Sequence, residues 1–195
     1  MSTGSKCAAV CRDEFCVPGP LPEGWSLTGS LPNEHAEKVM FGVGGSFDAT
    51  TETCLHLLKF RGVQGSLGVV RAIEPAPEGI CTCSFRIATA LHDIGSQLNG
   101  IYPVWESPFR IIFRDSSGEA AATIMIAGQE GEILLNDEQT GFTLPMLIWH
   151  RLAMTFDPQQ KRVCLSLNDS QEKHTLTLDK RVSDLATVDF ALSVG

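Results

Sequence analysis

The chain contains no run of basic residues, and its 195 residues carry a formal net charge of -8 at pH 7. Nucleic-acid binding usually requires a clustered basic surface, so this absence argues against a phosphate backbone as the partner. The chain also lacks an apolar stretch long enough to span a bilayer. We therefore expect neither nucleic-acid binding nor membrane insertion.

The first twenty residues lack the apolar segment of a signal peptide. Either the protein stays in the cytoplasm, or a leader has been removed and it is extracellular. The seven cysteines do not decide between these compartments, because an odd count leaves at least one thiol unpaired in any disulfide scheme. The localisation stays open at this point.

The cysteines fall into groups with different expectations. The spacing of Cys7, Cys11 and Cys16 has no second half with matching zinc-ligand spacing, which favours a free or partly disulfide-bonded tail over a metal site. Cys81 and Cys83 lie two residues apart on one face of an expected strand, where the geometry for bridging each other is poor. We predict that these two are small core residues.

No convincing helical period extends over ten residues, and the clearest regular pattern is that of a β-hairpin. Apolar residues alternate with other residues in two neighbouring segments, with the two-residue period of a half-buried strand. These residues are Leu152, Met154 and Phe156 in the first segment, and Val163, Leu165 and Leu167 in the second. Between them, Asp157-Pro158 begins a turn, because proline fixes φ after an aspartate that can bond its own backbone.

The same alternation recurs at short, regular intervals between Cys54 and Val194, separated by turns rich in glycine, aspartate and serine. Such spacing predicts an all-β fold, an antiparallel two-sheet β-sandwich or jelly roll. We expect one such domain over residues 25–195. Residues 1–24, with three prolines and three cysteines, are predicted to form a flexible N-terminal segment.

A first strand that begins with Trp149-His150 and ends with Phe156-Asp157, before a second that ends with Asn168-Asp169, resembles the central hairpin of concanavalin A-like, or laminin-G-like, β-sandwiches. The resemblance extends over about 140 residues. It implies a binding scaffold, most simply a non-catalytic carbohydrate-binding, lectin-like or adhesion module. The alternative is a structural or assembly module that docks a protein partner through a sheet face or edge; the oligomeric state is open.

The chain departs from that family where it stops, after the closing Val194-Gly195. Members of the family usually continue into a further strand that pairs with the N-terminal region. The sequence is therefore either a fragment, or an N-terminal segment such as Val39–Val43 fills that edge.

An enzyme is the third choice, because no catalytic acid pair or nucleophile constellation can be named. Jelly-roll glycoside hydrolases that resemble this fold carry two glutamates on one strand face. Only Glu130 and Glu132 come near that spacing, and a solvated hairpin edge explains both. No nucleophile elbow, zinc-binding H-E-x-x-H or phosphate-binding glycine loop occurs. His150 is predicted to be a hydrogen-bonded histidine at the margin of the core.

The stretch from Leu91 to Pro108 is too long for an ordinary hairpin connection and carries two aromatic residues beside polar ones. Sugar rings pack their C–H faces on aromatic planes while their hydroxyls need hydrogen-bond partners. The predicted ligand-binding residues are Tyr102, Trp105, Asp93, Asn99, Arg110 and Trp149. The competing interpretation is that Tyr102 and Trp105 fold back and close one end of the sandwich.

No cofactor is predicted. The family resemblance makes calcium the one alternative, because many members use loop aspartates and backbone carbonyls to bind it. Asp93, Asp115 and Asp157 lie on expected loops but form no dense cluster like that of an EF-hand.

Overall fold

The computed structural model describes residues 20–29, 39–45, 53–59, 66–73, 80–88, 108–127, 131–145, 148–178 and 184–192, with residues 39–45 and 53–59 described by their backbone alone. Within these ranges the regular structure is entirely β-strand. The described part of the chain contains no helix of the length and apolarity needed to cross a bilayer.

The described residues form thirteen strands. They are β1 (Trp25–Gly29), β2 (Val39–Gly45), β3 (Thr53–Lys59), β4 (Leu67–Ala72), β5 (Cys81–Ile87), β6 (Phe109–Arg114), β7 (Ala120–Ala127), β8 (Glu132–Leu135), β9 (Glu138–Thr143), β10 (His150–Asp157), β11 (Arg162–Leu167), β12 (Lys173–Thr177) and β13 (Thr187–Leu192).

The larger sheet has seven strands in the order β1-β4-β13-β6-β7-β8-β9, and every neighbouring pair is antiparallel. Its central strand β6 shows why the sequence forms a sheet with one core face. Phe109, Ile111 and Phe113 are buried, and the residues between them are only half-buried. This alternation places every second side chain in the core.

The smaller sheet has four strands in the order β12-β11-β10-β5, again antiparallel. The predicted hairpin is confirmed as β10 and β11, with Leu152 opposite Leu167 and Phe156 opposite Val163. Its turn forms as the sequence indicates, because an Asp157 carboxylate oxygen accepts the N–H groups of the next two non-proline residues at 3.1 and 3.0 Å.

The two sheets pack face to face. Phe85 of the smaller sheet meets Phe190 of the larger sheet edge to face, with ring centroids 5.6 Å apart. One cluster of buried apolar side chains draws on both sheets, and its largest fully buried members are Phe113, Phe156, Ile111, Ile124, Ile126, Ile133, Leu135, Leu144, Leu152, Met154 and Leu165. The predicted antiparallel two-sheet β-sandwich is confirmed.

One expectation about the N-terminal region is wrong. The N-terminal strand of the larger sheet is β1, beside β4, whereas the segment Val39–Gly45 pairs with β3 in a hairpin of its own. Trp25 of β1 stacks on Phe190 with centroids 5.7 Å apart, so β1 gains an aromatic contact with the core. Three of the seven residues of β2 are glycines, and glycine has no side chain with which to pack against the core at the edge of the larger sheet.

Candidate functional site

The outward side of the four-stranded sheet is polar and composed mostly of small side chains; we call it the small-sheet face. Because His150, Leu152, Met154 and Phe156 of β10 are buried, the residues that alternate with them point outward. From the register of the four strands, the residues on this face are Thr82, Ser84, Arg86, Arg151, Ala153, Thr155, Arg162, Cys164, Ser166, Lys173, Thr175 and Thr177.

An aromatic residue lies at one end of this face. Trp149 directly precedes β10 and is half-buried, and the guanidinium carbon of the exposed Arg86 lies 5.2 Å from the centroid of its ring. A cation over an aromatic face at an exposed site contributes about 0.5–1 kcal/mol. The contact orients the indole and covers part of it with a planar, hydrogen-bonding group.

Arg151 lies directly opposite Arg86 in the register of β10 and β5. Like charges in that position repel, and here each arginine has its own acceptor or ring. The Nε of Arg151 donates to the hydroxyl of Ser84 at 3.0 Å, and its Nη1 donates to the Asp169 carboxylate at 3.1 Å. Both side chains of that ion pair are more than half exposed, so it contributes only about 0–1 kcal/mol to stability. Its effect is to fix the position of the guanidinium.

A hydrogen-bond network between the exposed Asn168 and the buried His150 holds this end of the sheet in place. The Asn168 side-chain oxygen accepts the N–H of Arg151 at 2.9 Å, and its amide nitrogen lies 3.0 Å from Nδ1 of His150. Since Asn168 therefore donates to Nδ1, the His150 proton resides on Nε2, which donates to the Pro145 carbonyl at 3.3 Å. His150 is 6% exposed. The prediction of a hydrogen-bonded histidine at the core margin is confirmed.

The predicted ligand-binding residues do not all fall on this face. Tyr102, Trp105, Asp93 and Asn99 lie outside the described residues. Arg110 lies on β6 and alternates with buried phenylalanine and isoleucine, which places it on the outward side of the seven-stranded sheet. Arg110 and Trp149 are therefore on opposite outer faces of the sandwich.

The structure adds two residues, Ser84 and Asp169, that the sequence did not connect with Trp149. Alternation along β5 and β10 puts Arg86 and Arg151 on the outward side, but only the pairing of these two strands, more than sixty residues apart in the chain, brings the residues opposite each other. Ser84 and Asp169 join the group through the same pairing and through the β11–β12 turn. No local sequence signal contains that information.

Acidic side chains do not gather in the described ranges, where no group of three or more histidine, cysteine, aspartate or glutamate residues has the arrangement of a metal site. Asp115 and Asp157 serve separate turns. The Ser117 hydroxyl, 2.6 Å away, and the N–H groups of Ser117 and Glu119 keep the pKa of Asp115 below its usual value. The calcium alternative stays a prediction.

Cys81 and Cys83 lie on the inward side of β5, half-buried and packed against the core cluster, as predicted. Neither forms a disulfide. A hydrogen bond from the Cys83 thiol lowers the pKa of Cys81 from 9.0 to about 7, against the opposing effect of partial burial.

No protein-family model matches the sequence, and no curated protein matches it. Among solved structures, a sialidase aligns with a TM-score of 0.59 at 11% identity over 86% of this chain. The chain spans 13% of that sialidase's length. Lectin II from Ulex europaeus aligns with a TM-score of 0.49 at 14% identity, over 92% of this chain and 88% of the lectin. The carbohydrate recognition domain of Emp46p, in its metal-free form, aligns with a TM-score of 0.47 at 9% identity, over 87% and 81%.

The structural alignment with part of the sialidase shows a shared fold. It agrees with the antiparallel two-sheet β-sandwich that the sequence predicts.

Proposed function

We propose that this concanavalin A-like β-sandwich is a non-catalytic module that binds carbohydrate at the Trp149 end of the small-sheet face. The observation that carries the proposal is the grouping of Trp149, Arg86, Arg151, Ser84 and Asp169, which we call the Trp149 patch. It combines an aromatic ring with fixed hydrogen-bond donors and acceptors on one exposed surface.

This combination suits the chemistry of a sugar. The C–H face of a pyranose packs on an aromatic ring, while each hydroxyl needs a donor or an acceptor. The patch supplies guanidinium donors, the Ser84 hydroxyl and the Asp169 carboxylate. The neighbouring positions on the face are Ser166 and Ala153, whose short side chains leave space above the sheet.

The loop residues Tyr102, Trp105, Asp93 and Asn99 are the second part of the proposal. Strand β5 ends at Ile87, directly opposite His150, so the chain that leads into this loop leaves β5 beside the Trp149 patch. Tyr102 and Trp105 themselves lie outside the described residues, and their part in the site is a prediction from the sequence.

A glycan array tests the proposal with wild type and Trp149→Ala. The matched control is Ile148→Ala, the adjacent residue, whose side chain is 54% exposed. We expect specific glycan signals for wild type and Ile148→Ala, and a loss of tenfold or more for Trp149→Ala, equivalent to about 1.4 kcal/mol. No signal for wild type would remove the carbohydrate-binding function. If Trp105→Ala loses the glycan signal and Trp149→Ala keeps it, the binding site lies in the loop.

A protein-docking module is the second candidate, and strand β1 favours it. Among the described strands β1 pairs only with β4, and its Leu27 is 47% exposed, so an apolar side chain lies at an edge to which another strand could add. Light scattering and pull-downs with wild type and Leu27→Lys test this. A partner or self-association lost in Leu27→Lys would support docking, and a strict monomer that captures no partner would count against it.

A further inference from the structure

We propose that the carbohydrate bound at the Trp149 patch is acidic, with the carboxylate of a uronic acid, and that Arg151 binds this carboxylate. The inference rests on the proposed function and adds the class of sugar to it. Carbohydrate binding as such needs an aromatic ring and polar groups, whereas an acidic sugar also needs positive charge beside the ring.

The charge of the small-sheet face carries the inference. The chain has 15 basic and 23 acidic residues, with a formal net charge of -8. Among the twelve residues of the face, by contrast, none is acidic and four are basic, namely Arg86, Arg151, Arg162 and Lys173. The face therefore has the opposite sign to the chain as a whole, and a surface of one sign attracts ligands of the other.

The acidic residues that adjoin this face lie at the ends of its strands. Asp157 ends β10, and its carboxylate accepts two N–H groups of the following turn. Asp169 follows β11 and pairs with Arg151, and Glu172 directly precedes β12. Between these ends the four strands contain no acidic residue. Nothing within the face repels an anionic ligand.

Arg151 already binds a carboxylate, that of Asp169, at 3.1 Å from its Nη1. The two side chains are 54% and 69% exposed, so a ligand can reach both from solvent. An exposed ion pair contributes little to stability, and a ligand carboxylate can therefore replace that of Asp169 without a large loss. The planar fork of a guanidinium matches the two oxygens of a carboxylate. The bond from Nε to Ser84 holds this fork in place during the exchange.

The position of Trp149 beside Arg151 suits a uronic acid. The two residues are two positions apart in the chain, which is about 6.6–6.8 Å in an extended backbone. The carboxylate of a uronic acid is equatorial on the pyranose ring, so it projects from the edge of a ring that packs flat on an aromatic plane. A sugar that packs on Trp149 therefore directs its carboxylate sideways, where the guanidinium of Arg151 can reach it.

The test compares each uronic acid with its own methyl ester, which has the same sugar ring and no charge. Wild type is titrated calorimetrically with tetragalacturonate, tetramannuronate and the methyl ester of each. We expect at least one of the two acids to bind tenfold or more tightly than its ester, equivalent to about 1.4 kcal/mol.

Two variants test whether Arg151 recognises the charge. Arg151→Gln keeps a hydrogen-bonding side chain but removes the charge, and it should lower the affinity for the acid to that for the ester. Asp169→Asn removes the carboxylate that competes for Arg151, and it should bind the acid about threefold more tightly. Asparagine tolerates the positive φ of 56° at this position. If Asp169 served only to accept sugar hydroxyls, the same change would weaken binding.

The matched control is Arg162→Gln, which removes an equal charge from the other end of the face. Arg162 is opposite Asp157, six residues after Arg151 on β10, so it lies about 20 Å from Arg151 along the strands. At about 0.15 M salt, charges are screened within about 8 Å. Arg162→Gln should therefore bind the acid like wild type. Melting temperatures show whether each variant is folded.

The inference and the proposed function fail in different ways. Equal affinity for acid and ester, or a preference for the acid that persists in Arg151→Gln, would overturn the inference and leave carbohydrate binding in place. Neutral glycans bound on the array, with no affinity for either uronate, would do the same. Dextran sulfate bound as tightly as the uronates would indicate a general polyanion surface and would also overturn it. No signal for any glycan, acidic or neutral, would remove the carbohydrate-binding function and the inference with it.

Discussion

The guanidinium of Arg86 lies 5.2 Å from the centre of the Trp149 ring, although Arg86 is also directly opposite a second arginine, Arg151, across the sheet. Each arginine has its own partners, because Arg86 lies over the Trp149 ring and Arg151 donates to Ser84 and Asp169. The result is a surface with one aromatic ring at its end, next to hydrogen-bonded polar groups.

Replacing Arg151 with lysine should weaken glycan binding about threefold to tenfold without lowering the melting temperature measurably. Lysine keeps the charge but loses the planar fork that reaches both Ser84 and Asp169, and an exposed ion pair contributes only about 0–1 kcal/mol to stability. Calorimetric titration with the best glycan from the array measures the affinity. Arg162→Lys, at the other end of the same face, is the control and should bind like wild type.

Replacing Asn168 with alanine should destabilise the fold more than the same change at Asn136. Both asparagines have positive φ, 54° and 47°, and each uses its side-chain oxygen to accept an N–H of the neighbouring strand. Only Asn168 also satisfies the buried His150. The difference in unfolding free energy should be about 1 kcal/mol or more, measured by denaturant titration. Equal losses would mean that the histidine contact contributes nothing.

Truncation of Phe113 to alanine should lower the unfolding free energy by about 3–5 kcal/mol, because its side chain is fully buried and the cavity is enclosed by both sheets. Leu27→Ala is the comparison, because Leu27 is 47% exposed. This change should lower the unfolding free energy by only about 0.5 kcal/mol, as is usual for a substitution on the surface. Similar losses at the two positions would contradict the assignment of the core.

The rate at which iodoacetamide alkylates Cys81 should rise with pH around pH 7, as the thiolate forms. The reason is that hydrogen bonding from Cys83 lowers the pKa of Cys81 to about 7. Cys83→Ala should raise that pKa toward 9.0 and slow alkylation at pH 7 about fivefold, after allowing for the greater nucleophilicity of a more basic thiolate. Peptide mapping by mass spectrometry gives the rate at each cysteine. A Cys81 rate that is unchanged by Cys83→Ala would disprove the contact.

The lowered pKa of Cys81 also makes the unfolding free energy depend on pH. The pKa of Cys81 is lower in the folded protein, so its stabilising contribution is fully present above pH 9 and is lost as the pH falls through 7. Between these values, the unfolding free energy of wild type should rise with pH relative to Cys83→Ala.

Local residue patterns predicted much of the fold. The alternation in β6, β5 and the β10–β11 hairpin determined which side chains are buried, and Asp157 indicated the turn between β10 and β11. The position of the N-terminal strands was not predictable in this way, because it depends on the contact of Trp25 with Phe190, 165 residues away in the chain. Sequence alternation does not reveal which distant strands pair.

The site was predictable only in part, for the same reason. Trp149 was identified as a ligand-binding candidate because it is aromatic and shares the strand parity of Arg151. Ser84 and Asp169 were not, because their relation to Trp149 arises from the pairing of β5 with β10 and from the turn after β11. Arg110 and Arg86 both alternate with apolar residues in the sequence. Arg110 lies on β6 of the seven-stranded sheet, however, and Arg86 lies on β5 of the four-stranded sheet.

Chemical-shift mapping by NMR with the best glycan from the array tests the central claim most directly. The indole N–H of Trp149 and the backbone amides of Ser84, Arg151 and Asp169 should shift on titration. The amides of Ile112 and Met125, on the outward side of the seven-stranded sheet, should not. Shifts confined to the seven-stranded sheet, or to residues remote from Trp149, would contradict a carbohydrate site at the Trp149 patch.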